Sequence, residues 1–371
     1  MSKARELAEL GAVYDSGALS NRNLIINGAM QVAQRGTSST GIGATATAYY
    51  TVDRWLIETG NSAGRFTMSQ ASDGPSGFAN SLKLDCTTAD TSIASSEYLL
   101  LQYRIEGQDV QRIKKGTSDA EEVTISFYVK ANAAFNFVLE LYDNDNNRTC
   151  SKLFSTTTGW NRIELTYPAD TTGAFDDDNN ASVRLFFWLH AGSDYTSGTL
   201  NSSAFNTQNN ANRAPGISSF YSSTSNEFYI TGVQMEVGTE ATPFEHRSFG
   251  QELLRCQRYY TRLSEAYTQH GQICNGHYNG TSQFQGMVRF PVNMRASPTL
   301  SHTTTSSNNS SSAYYVAANQ GSDYIDSFAF YVSNSGTTLI YTTAGGSGTS
   351  GHGGNLAIQS TITECAAVSE L

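Results

Sequence analysis

Charge is what this 371-residue chain has least of: 15% of its residues are Asp, Glu, Lys or Arg, against roughly a quarter in ordinary globular proteins. The balance is acidic, with a net charge of −10 and a pI near 5.1. That leaves no basic stripe for a phosphate backbone, so nucleic acid is excluded as a partner. The five cysteines, Cys86, Cys150, Cys256, Cys274 and Cys365, are odd in number and form no CxxC, which points to buried thiols in a reducing compartment rather than a disulfide framework. No run of about 18 apolar residues exists, so membrane insertion is not expected. The opening MSKARELAEL has no apolar h-region. The expectation is a chain folded in a cytoplasm. Motifs for serine hydrolases, zinc proteases, P-loops and dinucleotide binding are all missing, and no fixed-period repeat suggests a solenoid.

What remains is apolar volume carried by rings, with 20 Tyr and 18 Phe, under a surface of Ser, Thr, Asn and Gly. Residues 2–10 can form a two-turn helix that needs a partner to be stable. A strand is expected around Leu24–Val32, a small-residue loop over Gly36–Ala48, and Trp55 and Ile57 on one face of Asp53–Glu58. Short strands follow at Arg65–Gln70 and Ser81–Cys86. Period-two alternation then runs through Glu97–Glu106, Val123–Lys130, Phe135–Tyr142, Trp160–Tyr167 and Val183–His190. Strands this numerous, with no helical periodicity between them, specify a two-sheet sandwich of jelly-roll type.

The stretch Glu227–Tyr260 closes that domain. Tyr229, Thr231, Val233, Met235 and Val237 fall on one face of a strand; Ser248 and Gln251 form a capping box ahead of a helix. Beyond Glu265 charge nearly vanishes. Strand candidates there are Phe284–Val292, Ala313–Ala317, Ile325–Ser333, Thr338–Thr342 and Leu356–Cys365. The fold class expected is all-β: an N-terminal segment (1–22), a jelly-roll sandwich (23–247), a linker helix (248–262) and a smaller C-terminal β domain (263–371).

Asp143–Asn147 resembles the start of a calcium loop, but Arg148 stands where glycine is required and Phe154 where a bidentate Glu belongs. This turn and Asp176–Asn180 read as solvated hairpin loops. His270, Cys274 and His277 lie close in sequence without the spacing of a zinc site. The outward face of Val183–His190 carries Arg184, Phe186, Trp188 and His190, and Tyr128 and Tyr142 occupy matching faces of other strands. Water does not favour so many exposed rings. A glycan, a neighbouring subunit or the long 192–226 loop must cover them.

NRNLIINGAMQVAQRGTS (Asn21–Ser38), DRW (Asp53–Trp55) and ITGVQMEVGTEATPFEHRSFGQELLRCQRYY (Ile230–Tyr260) together resemble tail-fibre and tail-associated virion proteins of marine and cyanobacterial bacteriophages. Their β domain is similar to carbohydrate-binding jelly-roll modules. The resemblance covers residues 1–262 and leaves 263–371 unmatched. It implies a non-enzymatic virion protein: a homotrimer joined to other phage tail or virion proteins through its N-terminus, with host surface glycan as its ligand. It also implies a structural Ca2+, for which Asn27, Asp53 and Glu236 are donors by position. Leu253, Cys256 and Tyr260 are the candidate contact between copies. A decoration protein without receptor role and a capsular polysaccharide depolymerase are the alternatives.

Overall fold

The computed structural model describes residues 3, 21–264, 271–304, 314–318, 321–325, 327–333, 335–344, 348–358 and 362–371. The expected helix at 2–10 and His270 lie outside these. The chain divides into two units, Met1–Glu252 with Leu371, and Leu253–Glu370. The boundary therefore falls inside the helix Phe249–Gln257. This helix is shorter than the expected 248–262, because a strand already begins at Tyr260.

In the first unit one long strand organises the sandwich. Strand β2 (Leu56–Ala71) runs for 16 residues. Its first part, Leu56–Gly60, pairs with β4 (Tyr98–Glu106), and its second part, Arg65–Ala71, pairs with β3 (Ser81–Thr88). It thus belongs to both sheets. From its first half the order continues through β4, β9 (Ala181–Ala191), β6 (Asn136–Asp143), β7 (Arg148–Ser155) and the short β10 (Asn206–Thr207). From its second half it runs through β3, β11 (Glu227–Val237), β5 (Val123–Ala131) and β8 (Asn161–Tyr167). Rings from the two halves interlock. Phe127 of β5 meets Phe154 of β7 at 5.1 Å and Phe187 of β9 at 5.3 Å between centroids. Phe137 of β6 meets Phe228 of β11 edge-on at 5.6 Å. The fold is the expected all-β jelly-roll sandwich.

Two segments differ from expectation. Gly36–Ala48 is not a loop: Ser38–Tyr49 forms β1, paired along β2 with three register shifts. Irregular pairing hides period-two alternation, and Ala44 takes a left-handed φ of 57°. Conversely, Leu24–Val32 is apolar and buried yet forms no strand. Asn27 and Met30 both sit at positive φ, which breaks extension twice. Asn27 caps the resulting turn, its Nδ2 donating to Val32 O at 2.8 Å and its Oδ1 accepting from Val32 N at 2.9 Å.

The strand that closes the domain in sequence is central in space, lying between β3 and β5. Its single-face alternation is also corrected. Gly232 has φ +63°, and the pairing with β5 jumps between Thr231 and Gln234. The core face is Phe228 and Ile230 before this bulge, Val233 and Met235 after it. A bulge adds one residue and so exchanges the faces. Residues 24–28 fill the irregular stretch: Leu24 N donates to Met235 O and Val233 N to Gly28 O, at 2.9 and 3.0 Å.

This explains why the two end motifs belong together. Glu245 accepts the backbone N–H groups of Asn21 and Asn23 at 2.6 and 2.8 Å. Arg247 donates to Asn23 O and Ile25 O and pairs with Glu252 at 3.1 Å. The capping box forms as expected, with Ser248 N and Oγ both within hydrogen-bonding distance of Gln251 Oε1, at 3.2 and 3.1 Å.

The second unit is all-β as well. Three strands, Tyr260–Ser264, Ile362–Val368 and Thr299–Thr304, form one sheet with Ile362–Val368 in the middle, and seven form another. Cys365 and Ala367 share one apolar core with Tyr278, Phe284, Val316, Ile340 and Leu356. Of the strand candidates, Ile325–Ser333 is two strands, Gly321–Ile325 and Ser327–Ser333, and Leu356–Cys365 spans parts of Gly353–Ile358 and Ile362–Val368.

Candidate functional site

The outward face of β9 is covered by its own chain. Residues 192–226 cross over it, with Tyr195, Leu200, Ala214 and Ile217 packed on Leu100, Val138, Phe186 and Trp188. The cover is tied down through Gly192 N to Glu97 O, Ala214 N to Tyr195 O and Ser151 N to Asn201 O, all within 2.9 Å. Trp188 and Phe186 are accordingly 1% and 4% exposed.

The cover is incomplete. It leaves a cavity of about 190 Å3 walled by Tyr98, Tyr142 and Tyr195, with Glu58, Arg184, Gln208 and Arg213 as its polar groups and Phe186 and Trp188 at its base. The three tyrosines are half-buried. Tyr98 stands edge-on to Tyr195 at 5.5 Å and to Trp188 at 6.4 Å. Gly60 is its cross-strand partner, and a Cβ there would lie 2.3 Å from the tyrosine ring. Only glycine lets that ring lie on the strand. Burial, then the neighbouring Glu58, pushes the Tyr98 phenol up to about 12, so it stays protonated and donates to Glu58 Oε1 at 3.1 Å. Gln102 Nε2 donates to the other Glu58 oxygen at 2.8 Å.

Beneath the tyrosines lies a closed polar unit. Glu140 is fully buried and receives Trp188 Nε1 at 2.7 Å, Thr149 Oγ1 at 2.5 Å and both Nε and Nη2 of Arg213 at 3.0 Å. Arg213 spreads over Trp188, Phe186 and Tyr142, its Cζ 4.8, 5.2 and 5.8 Å from the ring centroids. This is a stacked cation whose charge is cancelled from below.

Of the five aromatic positions singled out in the sequence, Tyr142, Phe186 and Trp188 are brought together here. His190 is not. Leu99 pairs with His190 and Leu100 with Trp188, so Leu189 is the extra residue of a bulge. His190 is instead fully buried against Tyr221, with Ser219 at its Nδ1 and Glu97 at its Nε2. Tyr128 lies in the other sheet, on β5, beside Phe78. Sequence reasoning missed Tyr98, Glu58, Tyr195 and Arg213. Tyr98 and Glu58 lie within the expected segments Glu97–Glu106 and Asp53–Glu58, whereas Tyr195 and Arg213 needed tertiary contacts.

The expected calcium donors are each engaged by protein donors. Asn27 Oδ1 is taken by Val32 N. Asp53 accepts Gln34 N and Nε2 at 2.9 and 2.5 Å. Glu236 accepts Thr242 N and Oγ1 and Gln234 Nε2, at 3.0, 2.7 and 2.8 Å. Among the described residues no group of three His, Cys, Asp or Glu is gathered to hold a metal ion. Asp143, in the calcium-like turn, is buried and pairs with Lys115 at 2.7 Å; the turn joins β6 to β7 as a hairpin. Cys256 and Tyr260 are buried within the chain, at 0% and 1% exposed, which removes them as a contact between copies; Phe249 and Leu254 are the exposed apolar residues of that helix. No helix among the described residues is long and apolar enough to cross a membrane.

No family model matches the chain, and no curated protein does. Among solved structures, a CBM4 structure is similar at 15% identity over 50% of this chain and 87% of that one, with a TM-score of 0.28. A family 30 carbohydrate-binding module is similar at 10% identity over 63% and 95%, with a TM-score of 0.32. The enzymatically active domain of tailspike protein 4 from bacteriophage CBA120 is similar at 11% identity over 58% of this chain and 21% of that one, with a TM-score of 0.29. The sandwich itself is defined by the chain's own strand pairing.

Proposed function

We propose that the protein binds glycan in the tyrosine-walled cleft of its N-terminal sandwich, as a non-enzymatic adhesin on a phage virion. One observation carries the glycan reading: three half-buried tyrosine rings converge with a carboxylate, an amide and two guanidinium groups on one small cavity. Ring faces and edges accept the apolar faces of a sugar, and the polar groups meet its hydroxyls. Most glycosidases set two carboxyl groups across the bond, whereas among the described lining residues Glu58 is the one carboxylate at the cavity, with Glu140 held beneath Arg213.

The virion reading is supported by the resemblance of Asn21–Ser38 and Ile230–Tyr260, segments that clasp one another through Glu245 and Arg247. The homotrimer belongs to this reading. Light scattering is expected to report three copies, and a stable monomer at micromolar concentration contradicts it.

The test is a glycan array probed with the full-length protein, followed by a reducing-end assay on each glycan bound. Binding without release of new reducing ends is expected. Oligosaccharide release that disappears in Glu58→Gln would make the protein a depolymerase instead.

A further inference from the structure

The cations of the cleft are not equivalent. Arg213 is neutralised by Glu140 at 3.0 Å. Arg184 has Arg104 as its direct cross-strand partner on β4, and like charges placed opposite in a ladder are unfavourable. Arg104 Nε turns aside to Gln102 Oε1. The Arg184 side chain makes no hydrogen bond or ion pair to any described residue, and its Nε is buried without a partner. Glu58, the cleft's free-standing carboxylate, already receives Tyr98 and Gln102. Burial and the charge of Arg104 disfavour the Arg184 cation, and Tyr142, Glu58 and Tyr49 offset this only in part, in a protein whose net charge is −10. A half-buried guanidinium beside another cation is unfavourable, and an anion that pairs with it relieves that cost.

We infer that the cleft selects an acidic sugar, whose carboxylate pairs with Arg184 while its ring lies among Tyr98, Tyr142 and Tyr195. The planar fork of a guanidinium matches a carboxylate at two points. A cavity of about 190 Å3 is below the roughly 300–1,000 Å3 of drug-sized pockets, and suits one sugar residue rather than a buried chain. The inference rests on the glycan reading of the cleft and adds the charge class of the ligand.

Calorimetric titration of the full-length protein tests it, using oligomers of glucuronate, galacturonate and mannuronate, each beside its methyl ester. The ester keeps the ring and removes the charge. At least one acid is expected to bind tenfold or more tightly than its ester, with the ratio shrinking as salt is raised. In Arg184→Gln, shown folded by an unchanged melting temperature, the ratio is expected to fall to near one. Should Arg184→Gln fail to fold, Arg184→Lys is expected to keep part of the preference, because it keeps charge without the fork. Equal affinity for acid and ester, or an undiminished preference in the Arg184 variants, overturns the inference. Binding of a neutral oligosaccharide that Tyr98→Ala abolishes, with no acid preferred, overturns it while leaving the glycan reading intact. No binding of any glycan overturns both.

Discussion

Arg213 lies with its guanidinium carbon 4.8 Å from the ring centroid of Trp188, so the largest aromatic surface of the cleft is already occupied by the protein itself. A ligand meets the tyrosines above and finds Trp188 through Arg213. The arrangement depends on Glu140, which is fully buried and holds both residues.

Replacing Glu140 should therefore be costly. Glu140→Gln leaves Arg213, 12% exposed, as a cation without its counter-charge. Removing one partner of a buried pair costs about 3–5 kcal/mol. Chemical denaturation of the variant is expected to show a loss of that order, and a loss below about 1 kcal/mol would mean the pair behaves as a surface one.

Gly232 makes a second test. Its positive φ and the approach of Phe78 and Tyr128 to within 2.8 and 2.9 Å of a would-be Cβ leave no room for a side chain. Gly232→Ala is expected to destabilise by at least about 1–2 kcal/mol from the left-handed backbone alone. A neutral result would show that the bulge can be absorbed elsewhere in β11.

The dependence of stability on pH follows from His190. Burial, the largest influence, pulls its pKa below the ordinary 6.5, against the hydrogen bond to Glu97 that raises it. The folded state thus holds this proton less tightly than the unfolded chain. The sign is fixed: the contribution is fully present above pH 6.5 and is lost as pH falls below it toward the folded value. Glu245 acts in the same direction at lower pH. Burial raises its pKa, but the N–H groups of Asn23 and Asn21 outweigh this and leave it below 4.5, so its contribution is lost as pH falls below that value. Melting temperature is expected to drop from pH 7 to pH 5.5, with a shallower slope in His190→Gln. Equal slopes would remove His190 from the account.

Chelation gives a simpler check. With Asn27, Asp53 and Glu236 committed to protein donors, the melting temperature is expected to be unmoved by EDTA. A drop that added Ca2+ restores would reveal a metal site.

How far the sequence revealed this architecture depends on regularity. Strands with clean alternation, such as Val123–Ala131 and Asn136–Asp143, are legible because one face is core. Where a bulge intervenes, at Gly232 or Leu189, the alternation changes face, and Val233 and His190 were assigned to the wrong neighbours. Leu24–Val32 has a strand's composition, yet Asn27 and Met30 turn the chain. Arg148–Ser155 gives no clean alternation, because Thr149, Cys150 and Ser151 are buried in succession. The cleft was half legible. Rings on β9 signalled a covered face, but Tyr195 and Arg213 reach it from a loop, and no local pattern tells where a loop will lie.

The central claim is that the three tyrosines bind sugar. The direct measurement is calorimetric titration of the best array glycan into wild type, Tyr98→Ala and Tyr195→Ala, with Tyr128→Ala as a control on the opposite sheet. The account predicts affinity lower by tenfold or more in the first two variants and unchanged in Tyr128→Ala. Unchanged affinity in both cleft variants, or loss confined to Tyr128→Ala, would contradict it.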